Sequence, residues 1–400
     1  MQNTEDRVAL LRTYLRRLGD GESLDAVRAD FVKAFRYVDA AEIMRAEQEM
    51  MKCGTPITEI QKLCDIHSAL FHGTTTEERI QTAKQAAHTS SVREQRMTVT
   101  NRLVAETGHP LSTFTKENEA LAARLKKVQM EITEGQVSKE SIAQIREAAV
   151  HYAKKGDLLY PHLKVKYEIP GPSDVMWTVD DEIRDTLAVL SKEQIGTGQS
   201  LERLQKVIVR MEEMIYKEAN ILFTNCAENF TTEEWIRIYQ DAKDYADCLG
   251  VKPEIWNVAE EATGVVPNAT PQEQEIVMAG GHMTVAQLTA MLNTMPYEIT
   301  FVDEHDINCY FNEGHKDFKR PGMAIGREVY SCHPPKVEAG VRRILDSFKA
   351  GTLDQVPVWM EKNGKCILVT YMAVRDPDGR YMGTLELVQD MTFAKEHFTS

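Results

Sequence analysis

At Gly281 the period of the apolar residues changes, and this break constrains the fold more than any other feature of the chain. Upstream, apolar side chains recur every three to four residues, the spacing of a helix with one buried face. "ESLDAVRADFVKAF" places Leu24, Val27, Phe31 and Ala34 on such a face. Downstream, "KCILVTYMAVRDPDGRYMGTLELVQDMT" is two apolar runs joined by Asp-Pro-Asp-Gly, the chemistry of a hairpin turn. A chain that switches in this way is expected to be multidomain. The first part reads as all-α, short helices and then a four-helix-type bundle; the second reads as α+β with an antiparallel sheet.

Within the helical part, residues 1–77 hold short helices punctuated by Gly54 and Gly73, with Asp39 as an N-cap. Residues 78–250 hold longer ones: a helix ending near "TGHP", then Pro110 to about Glu134, Lys139 to Lys155 stopping near Gly156, about 173–192, and Ser200 to about Phe223. The final helical stretch is "TTEEWIRIYQDAKDYADCLG". Long helices joined by short polar loops describe an antiparallel bundle. Residues 251–282 are polar with three prolines and read as a linker. Residues 283–400 begin with the helix "MTVAQLTAMLNTM" and continue as strand, turn and strand through "YEITFVDEHDINCYFNEG", with the turn at Asp303 to Asp306.

Composition removes several function classes. A net charge of −14 argues against a nucleic-acid partner, because a phosphate-binding surface needs clustered Lys and Arg. No run approaches the roughly 20 apolar residues of a membrane span, and the N-terminus lacks the apolar core of a secretory leader. Cys53, Cys64, Cys226, Cys248, Cys309, Cys332 and Cys366 are scattered without a C-x-x-C pair, as free thiols in a reducing cytoplasm would be. Signatures of nucleotide binding, serine hydrolysis and zincins do not occur, so the expectation is a cytoplasmic, non-enzymatic protein.

Three stretches carry family resemblance. "VDEHDINCYFN", "GREVYSCHPP" and "GTLELVQDMT" together resemble a PAS sensor domain over roughly residues 284–394. "GHPLSTFTKENEAL", "HYAKKGDLLYPHL", "GPSDVMWTVDDEIR" and "KEANILFTNCAENF" resemble a hemerythrin-like, HHE-type cation-binding bundle. "EIMRAEQEMMKCGTPITEIQKLCDIHSALF" resembles a small uncharacterised helical domain that precedes such bundles in bacteria.

The second resemblance implies iron, so its ligands are followed residue by residue. His109 and His151 match the first two histidines, Asp180 stands where a later His is expected, and Glu218 matches the last carboxylate. The carboxylate expected after His151 falls on Lys155 or Gly156. A di-iron centre needs roughly five to seven inward His and carboxylate ligands, and an ammonium there repels cations. The favoured expectation is therefore a metal-free bundle, with Lys155 paired to Glu218 and Asp180 paired to Arg184 one turn on. The alternative is a metal held by His109, His151, Asp180 and Glu218.

In the PAS-like part, His333 and Cys332 are candidate haem or other cofactor ligands, with His315 a second candidate. Cys64 and His67, three residues apart, are spaced to share a metal but sit among apolar residues. The functional expectation is a sensory, signalling or interaction protein. Its PAS domain would sense a small ligand, redox state or partner, and helical modules would relay to an unidentified protein partner or through a PAS-mediated homodimer. The competing expectation is a hemerythrin-like protein binding iron with O2 or nitric oxide.

Overall fold

The computed structural model describes residues 4–20, 91–193, 195, 198–263, 275–278, 280–314 and 316–399, with isolated positions at 22, 23, 26, 27, 30, 50, 54 and 55. The helices expected between residues 24 and 73, apart from those positions, lie outside the described residues, as do residues 78–90, Cys64, His67 and His315. Two compact units result, Met1–Asn257 and Val258–Ser400.

In the first unit, after α1 (Thr4–Gly19), the described helices are α2 (Ser91–Ala105), α3 (Pro110–Thr133), α4 (Lys139–Arg146), α5 (Ala148–Leu158), α6 (Pro170–Leu190), α7 (Gln199–Lys217), α8 (Phe223–Asn229) and α9 (Thr232–Ala242). Their ends carry the chemistry that starts helices. Extended His109 caps α3 with Pro110 at its first position, Ser138 caps α4, and Thr231 forms a reciprocal capping box with Glu234. On α7 the buried residues Leu204, Val207, Ile208, Met211 and Met214 keep the spacing of a single inward face. Among the described residues, two π turns interrupt the helices, at His162–Lys166 and at Glu218–Leu222. The second bridges α7 and α8 and leaves Glu218 fully buried.

Two expectations are corrected here. The third helix, expected as one from Lys139, is two, α4 and α5, and Gly156 does not stop it: its backbone stays helical, and a Cβ there would lie 3.1 Å from Trp177 Nε1. The helix runs on to Leu158 with the indole occupying that space. The bundle also extends past residue 250. Trp256 is buried and its Nε1 donates to Glu106 at 2.6 Å, so the start of the segment expected as linker is docked. Gly108, at φ +81, permits this docking, since a Cβ there would stand 2.3 Å from the Ile255 carbonyl oxygen.

The second unit, after α10 (Asn257–Thr263) at its border, comprises the small hairpin β1 (Glu275–Met278) and β2 (Gly281–Thr284), then α11 (Val285–Thr294). A five-stranded sheet follows, made of β3 (Glu298–Asp303), β4 (Asn308–Phe311), β5 (Gln355–Lys362), β6 (Lys365–Arg375) and β7 (Tyr381–Asp390) in the order β4-β3-β7-β6-β5. Every pairing is antiparallel, as the sequence led us to expect. Between β4 and β5 lies α12 (Pro335–Lys349), which starts at the Pro-Pro pair; α13 (Thr392–Thr399) follows β7. Leu345, Val341 and Ile344 of α12 pack with Val302, Val329 and Tyr330. A second cluster joins Ile367, Val369 and Val388 with Phe318.

Strand β7 passes so close to β3 that Gly383 has no room for a side chain. A Cβ there would stand 2.3 Å from the Val302 carbonyl oxygen, at φ +148. Gly383→Ala should therefore cost roughly 2–4 kcal/mol. Hydrogen exchange of the full chain should show the loss in β3 and β7 while helices α3 to α7 keep their protection.

Candidate functional site

Helix α5 places His151, Lys154 and Lys155 at i, i+3 and i+4, hence on one face. That face points into the bundle. His151 and Lys155 have 0% exposure and Lys154 has 4%. Ionised groups removed from water cost several kcal/mol each unless paired, so partners are required. They come from three other segments: Glu117 and Asn118 of α3, Asp180 of α6, and Glu218 at the π turn after α7.

His151 sits between two carboxylates, with Nδ1 2.7 Å from Glu117 Oε2 and Nε2 2.8 Å from Glu218 Oε2. Ionised carboxylates only accept, so both ring nitrogens donate and the ring is an imidazolium. Burial opposes that charge, but Glu218 and Glu117 outweigh it and hold the His151 pKa above its ordinary value. Lys154 donates to the other oxygen of Glu117. Lys155 donates to Glu218 and, at 3.1 Å, to Asp180, whose second oxygen accepts from Tyr160 at 2.8 Å. Asn118 Nδ2 donates to Glu218 at 2.8 Å. The ring of Tyr152 faces Lys155 Nζ at 4.5 Å to its centroid, and Phe114 faces Lys154 Nζ at 5.5 Å. Three carboxylates thus face three cations: Glu117, Asp180 and Glu218 against His151, Lys154 and Lys155.

The carboxylates are not equivalent. Burial raises both, but Glu218 holds Lys155 and His151 and drops to about 2. Asp180 has the longer Lys155 contact and Glu218 as a like-charged neighbour, so burial wins and lifts it to about 6. Cys248 lies beside Glu117, and burial with that carboxylate pushes its thiol up to about 12.

Among the four metal-ligand candidates, the structure brings His151, Asp180 and Glu218 together and leaves His109 outside these contacts. His109 Nδ1 accepts from the Leu111 N–H at 3.1 Å, capping α3. Its ring packs 4.7 Å from Trp235 and 4.8 Å from Trp256, and burial lowers its pKa to about 3. The neutral ring therefore carries its proton on Nε2, and that buried nitrogen lacks a hydrogen-bond partner. Lys155 pairs with Glu218 as expected, but Asp180 does not pair with Arg184. Arg184 reaches Asp181 instead, because Asp180 faces the interior toward Lys155 and Tyr160. Sequence reasoning missed Glu117, Asn118, Lys154 and Tyr160. The signal for the first two was available, since Phe114, Glu117, Asn118 and Leu121 keep the inward spacing of α3.

This donor set does not fit iron. His151 has no free lone pair, His109 spends one nitrogen on a cap, and Gly156 has neither a side chain nor room for one. A divalent ion about 4 Å from the Lys155 ammonium would meet roughly 8 kcal/mol of repulsion at an effective dielectric of about 20. Among the described residues no group of three or more His, Cys, Asp or Glu is arranged to hold a metal ion.

The second unit has a different polar site, on the sheet face that α12 covers. Thr300, Glu386 and Tyr371 stand in one cross-strand row. The Arg320 guanidinium lies over it, donating from Nε to Thr300 at 3.2 Å and from Nη2 to Glu386. Burial pushes the Tyr371 hydroxyl up, with Glu386 adding to it. His333 Nδ1 lies 2.7 Å from the Val329 carbonyl and must donate to it, which leaves Nε2 with the lone pair. Burial lowers the His333 pKa, so the ring is neutral. Among the described candidate ligands, His333 is thus a neutral imidazole with its lone pair on Nε2. Cys332 Sγ lies 3.7 Å from the Asn308 amide.

Comparison with known proteins agrees with this layout. Residues 11–77 match a family of unknown function (DUF438), residues 109–226 the hemerythrin HHE cation binding domain, and residues 288–392 the PAS domain. The chain is thus a three-module protein of those families, in the order its sequence indicates, and its modules place it broadly among sensory and signalling proteins. A solved C-terminal domain from Streptococcus mutans is 37% identical, covering 31% of this chain and 98% of its own length at a TM-score of 0.30. The PAS domain of a Colwellia psychrerythraea protein is 15% identical, covering 27% and 98%, at a TM-score of 0.21. A sensory box sensor histidine kinase from Vibrio cholerae is 13% identical, covering 26% and 90%, also at 0.21. No curated protein matches the chain. No helix among the described residues is long and apolar enough to cross a membrane.

The two shifted carboxylates give the bundle a pH signature. Asp180, raised from 3.8 to about 6, binds its proton more readily folded than unfolded, so its contribution to stability falls as pH rises between those values. Glu218, lowered from 4.5 to about 2, contributes stability that is present above 4.5 and lost as pH falls toward 2. Each interval is worth roughly 3 kcal/mol. In urea unfolding of the bundle, Asp180→Asn should flatten the slope between pH 4 and 6 relative to wild type, and Glu218→Gln that between pH 2 and 4.5. Unchanged slopes in both variants would contradict these assignments.

Proposed function

We propose that this chain is a non-enzymatic sensory protein. Its PAS unit receives a small polar ligand, and the helical modules pass the resulting state to a protein partner or through the pairing of two copies. The observation that carries this reading is the row of Thr300, Glu386 and Tyr371 under Arg320. The Arg320 and Glu386 side chains there keep 19% and 15% exposure, against 0–5% for the charges of the bundle. A charged pair that is desolvated but still reachable can exchange its internal partner for a ligand group. A ligand that binds one conformation better then shifts the population toward it.

The reading of the bundle as an iron protein for O2 or nitric oxide has less support, given two ammonium groups among its carboxylates. Haem in the PAS unit would use His333 Nε2.

The test is a thermal-shift survey of the full chain with polar metabolites, preceded by an absorption spectrum before and after reduction. The expected result is no Soret band and a stabilising ligand, whose effect is about 2.7 kcal/mol at a hundred times its Kd. That shift should disappear in Arg320→Ala and weaken in Tyr371→Phe, a milder change should the first variant fold poorly. A Soret band lost in His333→Ala would replace the polar ligand with haem. Consumption of a bound metabolite would overturn the non-enzymatic reading.

A further inference from the structure

The bundle matches a cation-binding family, yet the cations at its centre belong to its own chain. Lys155 Nζ bridges Glu218 and Asp180, carboxylates from two different segments, and Lys154 Nζ holds Glu117. His151 links Glu117 to Glu218 and so joins the two ammonium sites into one network. Each ammonium is sealed from water and lies against an aromatic face, Tyr152 for Lys155 and Phe114 for Lys154. The position after Lys155 is a glycine closed off by Trp177.

We propose that Lys154 and Lys155 are the resident cations of this bundle. Their ammonium groups do the charge-neutralising work of a divalent metal centre, and the cage around Asp180 and Glu218 binds a divalent cation only when Lys155 is removed. Three observations converge on this. The ammonium groups satisfy carboxylates from three separate segments, as a bridging metal would. The balance of three anions and three cations leaves no excess negative charge to attract an ion. Neutralising Lys155 exposes Asp180, Glu218 and, once its ring loses a proton, His151, which are oxygen and nitrogen donors of the kind divalent transition metals take. The bundle therefore stands permanently in the neutralised state that a metal would otherwise create.

The experiment is an anaerobic titration of untagged full-length protein with Co(II), followed by visible ligand-field absorption and by thermal unfolding. Wild type should show neither a ligand-field band nor a stability shift at Co(II) concentrations that saturate Lys155→Ala. That variant should melt lower without metal, recover on adding Co(II), and bind at least about a hundredfold tighter than wild type. Adding Glu218→Gln to Lys155→Ala should abolish the band. Should Lys155→Ala lose its helical circular dichroism without metal, recovery of that signal on adding Co(II) supports the proposal, and failure to recover counts against it. The proposal is overturned by a folded Lys155→Ala that binds no tighter than wild type. Wild-type uptake of Co(II) that His151→Ala removes would overturn it equally.

Discussion

Charge buried inside a helical bundle must be cancelled within the bundle, and here the cancellation is assigned to residues far apart in the chain. Glu117, His151, Asp180 and Glu218 lie on four segments, and each touches at least one of the others or a shared lysine. A register slip in any one helix would strand an ionised group in an apolar interior, at a cost of several kcal/mol. The network therefore selects one packing of α3, α5, α6 and the turn after α7. Its net stabilisation is modest, because desolvation offsets most of the pairing energy. What it supplies is uniqueness, which the surrounding Leu, Met and Phe side chains, tolerant of one another, specify less sharply.

The PAS unit solves a similar problem less completely. Glu298 is buried, but it spends its oxygens on the backbone N–H groups of Asp317 and Phe318 and so fixes the loop that carries Arg320. Arg320 then reaches back across the sheet to Thr300 and Glu386. The guanidinium is held by a loop rather than by a helix, and its partners are two neighbouring strand residues, only one of them charged, rather than a cage. Such an arrangement can reorganise at the cost of one ion pair, whereas the bundle would have to break several at once. The two units thus hold their buried charges in different ways, the sheet unit through a single ion pair and the bundle through a connected network.

Much of the fold was legible because its elements obey local rules. Pro110 at the start of α3, the Asp-Pro-Asp-Gly turn and the Pro-Pro start of α12 all act within a few residues of where they stand. Strand β5 escaped notice because Pro357 interrupts an otherwise alternating run. Proline survives there because β5 is the outer strand, where a missing donor is tolerated. The hairpin of β1 and β2 lay in a segment whose prolines and polar residues read as linker.

The site was harder to read, for a reason that is physical rather than statistical. A lysine on an amphipathic helix faces water unless something inside the fold is negative enough to hold it, and for Lys154 that something is Glu117, 37 residues earlier. Asp180 and Asp181 are adjacent and chemically alike, yet one meets Lys155 and Tyr160 while the other meets Arg184. The difference is about 100° of helix rotation, set by the packing of α6 and invisible to pair spacing alone. The resemblance named His151, Asp180 and Glu218, and the structure brings these three together in the bundle interior. It also named His109, which is buried but whose Nδ1 accepts from the Leu111 N–H as a helix cap. Facing inward and being available to a ligand are separate properties, and only the second depends on what each donor atom already holds.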